Sequence, residues 1–324
     1  MTTPAISVLR QAFPQSQISY VVETPYRSLV EGNPNLDKVF VVRKKQNLKG
    51  FMSLIREIRK DQYDALLDFH GGPRASLLAL FSKAKIKIGY KIKYKSFIYD
   101  QKVPRSREHG YFHSVANHIN LVQALGIEVL QFPPLFLPQA QKQEKEKVKK
   151  FREENSLESS RVVVIHISAG NEFRNWGVDN TVELVGLLAQ IPKIKIVLIG
   201  SAEDQEAEKE ILRKSPFPLL SLVGKINLLE LRELIAQASL FIGPDSGPMH
   251  VAASTMTPIV AYFGPTLPAN FAPWQAKANL LEKDFECRPC KQRRCHFEDF
   301  RCLRSIRPEE VYKACLEFLG RLEP

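Results

Sequence analysis

Two short runs in the second half of the chain, Val162–Ile167 and Ile194–Ile199, consist mostly of β-branched apolar residues. Such runs suit strands buried on both faces, the position a strand holds inside a parallel sheet. Parallel neighbours need crossover connections, and the segments between the runs have that character. Asp179–Gln190 carries Val182, Val185, Leu187 and Leu188 at helical spacing, and Asp204–Lys214 reads as a charged helix. The alternation continues with a strand at Leu219–Val223, a helix at Leu228–Ala238, a strand at Leu240–Ile242, a short helix from Gly247 and a strand at Ile259–Phe263. Elements of these lengths in this order predict an α/β fold with a doubly wound parallel sheet.

The first half repeats the pattern less sharply. Strands are predicted at Ile18–Val22, Val39–Val42, Ala65–Phe69 and Lys85–Ile88, and helices at Ala5–Ala12, Leu48–Lys60, Ala75–Phe81 and Phe112–Leu125. A Pro-rich stretch, Phe132–Pro138, closes this half, and a mixed-charge helix over Lys142–Glu154 leads into the next. Two domains are therefore expected, 1–155 and 156–324, a division that 324 residues support comfortably. The first helix opens with Thr3 as N-cap and Pro4 in its first turn. No strand precedes it, so the N-terminal sheet either begins one strand late or has its first strand upstream of Met1.

Hydrophobic residues make up 44% of the chain and charged residues 25%, which argues against disorder. The apolar runs fall far short of the roughly 20 residues of a transmembrane helix. Met1 opens on a Pro-containing polar stretch and not on a signal peptide, so the cytoplasm is the expected address. There, five cysteines point to thiols or a metal site before disulfides. The net charge of +11 calls for an acidic partner. Nine basic residues lie between Lys83 and Arg107, opposed only by Asp100 and interleaved with Tyr90, Tyr94, Phe97 and Tyr99. That stretch reads either as a solvated face around a pair of short strands or as a patch for an anionic, membrane-attached acceptor. No nucleic-acid-binding module accompanies it, so nucleic acid is not an expected partner.

In an open α/β sheet, ligands bind beyond the carboxyl ends of the strands. Those ends here carry Ser168-Ala169-Gly170, Gly200-Ser201, Gly243-Pro244-Asp245-Ser246-Gly247 and Gly264-Pro265-Thr266. Glycine beside small or hydroxylated residues lets backbone approach phosphate, and a helix starting at Gly247 would aim free N–H groups at it. Walker-type, Gly-x-Gly-x-x-Gly and Gly-x-Ser-x-Gly signatures are absent, which counts against P-loop NTPases, dinucleotide oxidoreductases and α/β-hydrolases.

Gly243-Pro244-Asp245-Ser246-Gly247-Pro248-Met249-His250-Val251-Ala252-Ala253, with Phe263-Gly264-Pro265-Thr266 after it, resembles the donor-site signature of the ADP-heptose:lipopolysaccharide heptosyltransferases, glycosyltransferase family nine. His166-Ile167-Ser168-Ala169-Gly170 followed by Arg174-Asn175-Trp176 is similar to a second family segment, with Ser-Ala-Gly in place of Pro-Gly-Ala. Thr2–Ile6 and Ala12-Phe13-Pro14 are similar to the family's first helix, and the cysteine-bearing tail looks most like the heptosyltransferase II branch. The resemblance implies a GT-B enzyme of two Rossmann-like domains, the N-terminal one for acceptor and the C-terminal one for nucleotide sugar. It implies inverting transfer from ADP-heptose to lipopolysaccharide core and lipid A at the inner-membrane surface, without a catalytic metal. Asp245, Ser246 and Gly247 match residues that hold diphosphate and ribose, with His250 one turn on; Ser168 and Gly170 belong to the same site. Arg174 stands where a lysine meets the phosphates, and Glu203 or Asp204 falls near a carboxylate that contacts the nucleoside.

The resemblance also places the general base, an aspartate in a Gly-Asp pair, before the segment that begins at Met1. Asp68 and His70, at a strand end, are the substitutes within the sequence; Asp68 alternatively caps the turn at Gly71-Gly72. Trp176 reads as a packing residue. Cys287-x2-Cys290-x4-Cys295-x6-Cys302 has the spacing of a zinc knuckle, and Arg288, Lys291, Arg293 and Arg294 would favour thiolates. Four reduced thiols in a loop are the alternative. Two other functions fit the sequence, a GT-B-like nucleotide-sugar epimerase and a silent module that binds nucleotide sugars or glycans.

Overall fold

A computed structural model describes residues 1–43, 45, 47–93, 96–105 and 113–320. Tyr94, Lys95 and Arg107 of the basic stretch, and Phe112 of the fourth expected helix, lie outside them. The chain divides into two compact units, Met1–Pro138 and Gln139–Pro324.

In the first unit, α1 (Thr3–Ala12) is followed by β1 (Ser19–Glu23), β2 (Lys38–Val42), α2 (Leu48–Lys60), β3 (Ala65–Asp68), α3 (Pro73–Phe81), β4 (Ile86–Tyr90), β5 (Gln101–Val103) and α4 (Ser114–Gln123). The strands form two separate parallel sheets, β1-β2 and β3-β4-β5. The Tyr63 hydroxyl, just before β3, reaches across to Ser19 Oγ at 2.6 Å. Thr3 is not the N-cap of α1. Its side chain is buried and Oγ1 accepts from Phe136 N–H at 3.0 Å, so the cap position falls to Thr2, whose hydroxyl pairs with Tyr20. Asn47 caps α2 by accepting from Gly50 N–H, and Leu54 and Ile58 then pack on Phe40 and Val42 of β2. The basic stretch does contain a pair of short strands, β4 and β5, where Lys87 pairs with Asp100 and Lys85 with Asp64.

The second unit begins earlier than residue 156. Its first element, α5 (Lys142–Glu154), packs on α8 (Leu228–Ala236), with Lys147 Nζ bonded to the buried Glu230 carboxylate at 2.9 Å. A mixed-charge helix gives no sign in sequence of which neighbour it joins. The six strands are β6 (Arg161–His166), β7 (Ile194–Ile199), β8 (Leu220–Ser221), β9 (Leu240–Pro244), β10 (Ile259–Phe263) and β11 (Ala278–Glu282). Helices α6 (Val178–Leu188), α7 (Gln205–Lys214), α9 (Gly247–Ser254), α10 (Pro268–Phe271), α11 (Arg301–Arg304) and α12 (Pro308–Leu319) complete the unit. All strands run parallel in the order β11-β10-β9-β6-β7-β8. In chain order this is 6-5-4-1-2-3, the doubly wound arrangement.

The core lies between this sheet, α6 and α12, and Trp176 belongs to it. Trp176 is buried, tilts against Tyr262 at 4.8 Å and donates Nε1–H to Ile306 O. Leu184, on the inner face of α6, has no exposed surface. Leu184→Ala should therefore lower the unfolding free energy of this unit by about 2–5 kcal/mol. Denaturant unfolding would show it as a lower midpoint at unchanged slope.

Candidate functional site

A doubly wound sheet opens a crevice where the connections from neighbouring strands leave toward opposite faces. In the second unit that point lies between β6 and β9, and a side-chain hydrogen bond spans it. His166, the last residue of β6, and Ser246, just past β9, are both buried, with Nδ1 and Oγ 3.0 Å apart. Burial holds the imidazole well below its usual range, at about 4, so it stays neutral at working pH. A Cβ on Gly243 would meet His166 Cβ at 2.9 Å, so only glycine fits there.

Ser246 occupies the N-cap position of α9, yet its side chain makes no cap hydrogen bond. The hydroxyl is spent on His166, which leaves first-turn N–H groups of α9 for another acceptor. Pro248 contributes no N–H in that turn, and the position of a Gly247 Cβ faces open space. Arg174 comes to the same place from the turn after β6. Its Nη1 donates to the Asp245 carbonyl at 3.0 Å and lies 3.7 Å from the carboxylate, while Nε is buried without a hydrogen-bond partner among the described residues. A guanidinium edge with a buried, unused donor is suited to an anionic oxygen. The Asp245 carboxyl is raised by burial, opposed by the Thr266 hydroxyl and the Arg174 guanidinium beside it. A carboxylate accepts from a hydroxyl and repels phosphate, so Asp245 suits the sugar-bearing part of a ligand.

The remaining expected residues divide clearly. Ser168 is buried and donates to Asp204 Oδ1 at 2.5 Å, and Gly170 turns the chain at φ +61°. Asp204 also accepts from Ser201 N–H and Oγ with its other oxygen, so it ties the β6 and β7 loops together. Glu203 is exposed on the β7 loop. His250 is half-buried in the first turn of α9.

Asp68 and His70 are occupied by their own loop. Asp68 is buried; one carboxylate oxygen accepts from His70 and Gly71 N–H at 2.9 and 2.8 Å, the other from Tyr99 OH at 2.6 Å. His70 Nδ1 accepts from Gly72 N–H at 3.0 Å, which puts the proton of the neutral ring on Nε2. Both side chains thus build the turn into α3.

The four tail cysteines line one cavity of about 260 Å³ together with Phe173, Phe300 and His296. Among the described residues no three His, Cys, Asp or Glu side chains are gathered as a metal site. Burial, helped by the neighbouring thiols, raises Cys302 to about 11 against the opposing Arg288. Arg288 clamps the loop after β10. Its nearly buried guanidinium donates to the carbonyls of Gly264, Lys283 and Thr266 and pairs with Glu282. Nothing in the sequence marks that role.

The sequence profile of glycosyltransferase family 9 (heptosyltransferase) matches residues 51–301. The chain belongs to this family. Lipopolysaccharide heptosyltransferase 3 of Escherichia coli (strain K12) is 28% identical over 290 residues, which cover 85% of this chain and 81% of that protein. The family 9 glycosyltransferase structure from Veillonella parvula DSM 2008 superposes with a TM-score of 0.84 at 25% identity, covering 98% of this chain and 92% of that one. The E. coli ADP-heptose lps heptosyltransferase II structure gives 0.77 at 22%, covering 98% and 94%. This family 9 chain is a glycosyltransferase of the GT-B class, built as expected from two α/β units on parallel strands.

Asp68→Ala should remove three hydrogen bonds and cost roughly 1–3 kcal/mol. Thermal unfolding monitored for the first unit would register that loss, whereas unchanged stability with lost transfer would make Asp68 the base. Stability should also depend on acidity through His166, whose folded value lies below its ordinary one. The neutral ring then contributes stability that is fully present above about pH 6.5 and is lost as pH falls toward 4, where the folded protein finally takes up the proton. Midpoints measured across that window should fall, and His166→Asn should flatten the dependence.

Proposed function

We propose that this chain transfers a heptosyl group from ADP-heptose to the inner core of lipopolysaccharide, on the cytoplasmic face of the inner membrane and with inversion at the sugar. The observation that carries the donor assignment is the convergence of Arg174, Asp245 and the uncapped start of α9 at the switch point of the second sheet. N–H groups and a guanidinium would hold the two phosphates, and Asp245 would accept from a sugar hydroxyl. The name of E. coli ADP-heptose lps heptosyltransferase II, a structural neighbour over nearly the whole chain, supports ADP-heptose as donor. The E. coli relative named for lipopolysaccharide heptosyl transfer supports the acceptor class. Among the described residues no helix is long and apolar enough to cross a membrane, so a lipid-anchored acceptor would be met at the bilayer surface.

In the reaction the acceptor hydroxyl oxygen bonds to the anomeric carbon as that carbon's bond to the diphosphate breaks. ADP leaves with the electron pair, and the hydroxyl proton passes to a base. Charge develops on the leaving diphosphate, where Arg174 and the α9 N–H groups would stabilise it more in the transition state than in the bound donor. Calorimetric titration with ADP and a transfer assay with ADP-heptose and truncated core acceptors test this reading. Arg174→Ala should weaken ADP binding by about 1.5–3 kcal/mol, and Arg174→Lys should recover only part of it. Unaltered ADP affinity in Arg174→Ala would take the arginine out of the donor site.

A further inference from the structure

Helix α3 is amphipathic in the wrong sense for a helix packed on a sheet. Its fully buried positions hold small side chains, Ser76 and Ala79, and only Leu78 among its large apolar residues packs inward, partly buried on the β2–α2 core. Large apolar side chains point out, with Leu77, Leu80 and Phe81 exposed by 43, 43 and 39%. The spacing i, i+3, i+4 puts these three in one row along the helix. A soluble helix ordinarily turns such a row inward, and an exposed one marks a surface that meets something apolar. The row is not isolated. The turn at Ser96–Ile98 packs against α3, with Ile98 and Tyr99 covering Ala79, and this sets Phe97 beside the helix at 78% exposure.

Charge identifies what the row meets. From Phe69 through Tyr99 the sequence carries seven basic residues and no Asp or Glu. Arg74 lies on α3 itself, and Lys83 and Lys85 follow its last turn. Arg59, from the end of α2, donates Nε–H to Phe81 O at 2.6 Å and so stands at the end of the row. Of the acids flanking the stretch, Asp61 pairs with Lys38, Asp64 with Lys85 and Asp100 with Lys87; the last two are solvent-exposed. An apolar row rimmed by long cationic side chains is the composition of a helix lying in a bilayer interface. Its apolar groups enter the acyl boundary, and its lysines and arginines reach back to lipid phosphates. A protein partner burying the same row would be expected to need acidic counterparts or bare apolar contact, whereas an anionic bilayer supplies both chemistries in one plane.

We infer that α3 and Phe97 form a docking face for an anionic lipid bilayer. This rests on the reading that the acceptor is held at a membrane, and it adds which face of the first unit meets it. The test is sedimentation of the full chain with vesicles of phosphatidylcholine alone and of phosphatidylcholine mixed with phosphatidylglycerol. The native chain should bind the anionic vesicles at least about tenfold more tightly, with the preference shrinking at high salt. The combined variant Leu77→Ser, Leu80→Ser, Phe81→Ser should lose about tenfold or more of that binding, and Phe97→Ser alone should lose part of it. Thermal midpoint, ADP affinity and transfer to a soluble, deacylated core acceptor should stay at native values in Phe97→Ser, which guards against a folding defect in the triple variant. Vesicle binding that ignores the anionic lipid, or that survives all four substitutions, would overturn the inference. So would a native dimer that the triple variant splits, since a second copy would then cover the row. Failure of heptosyl transfer with intact, row-dependent vesicle binding would strike the transferase reading and leave the docking face standing.

Discussion

A parallel sheet delivers the ends of all its strands to one edge, but only where the chain reverses its winding does that edge open. In the second unit a buried contact between His166 and Ser246 spans that opening. Several features depend on it. The imidazole fits because residue 243 has no side chain, and it stays uncharged because it is wholly withdrawn from water. The serine hydroxyl, turned to the histidine, is withdrawn from the helix start that its position would ordinarily cap. The backbone donors of α9 remain for a ligand because this bond occupies their usual partner.

The two units end strands on aspartate in opposite ways. Asp68 finishes β3 with both oxygens engaged by the loop that follows it and by Tyr99, which makes it a strut for the turn into α3. Asp245 follows β9 with its carboxyl raised by burial and a cation close by. A buried acid left short of internal donors is costly unless something arrives to use it. The two carboxylates thus differ in the N–H groups each already accepts, two at Asp68 against a cation at 3.7 Å at Asp245.

Much of this was readable from residue order. The continuous apolar runs gave β6, β7, β9 and β10, because strands covered on both faces leave no polar alternation to confuse with a helix. The glycine-rich strand ends located the Asp245–Gly247 loop. What escaped has physical causes. Strand β11, at the sheet edge, alternates half-buried and exposed residues and carries no β-branched side chain, so it has little strand signature. Helix α5 is mostly charged, with Val148 its one buried residue, so the sequence gives little sign of its packing on α8. Arg288 was invisible because its partners are carbonyl groups, which every residue has.

The same anonymity of the backbone has a consequence at Arg174. Its one firm anchor is the carbonyl of residue 245 and not the carboxylate. A carbonyl is present whatever side chain the position bears. The guanidinium would keep its aim at the helix start through any exchange at 245 that preserved the chain path. Side-chain chemistry at that position is thereby uncoupled from the placement of the cation.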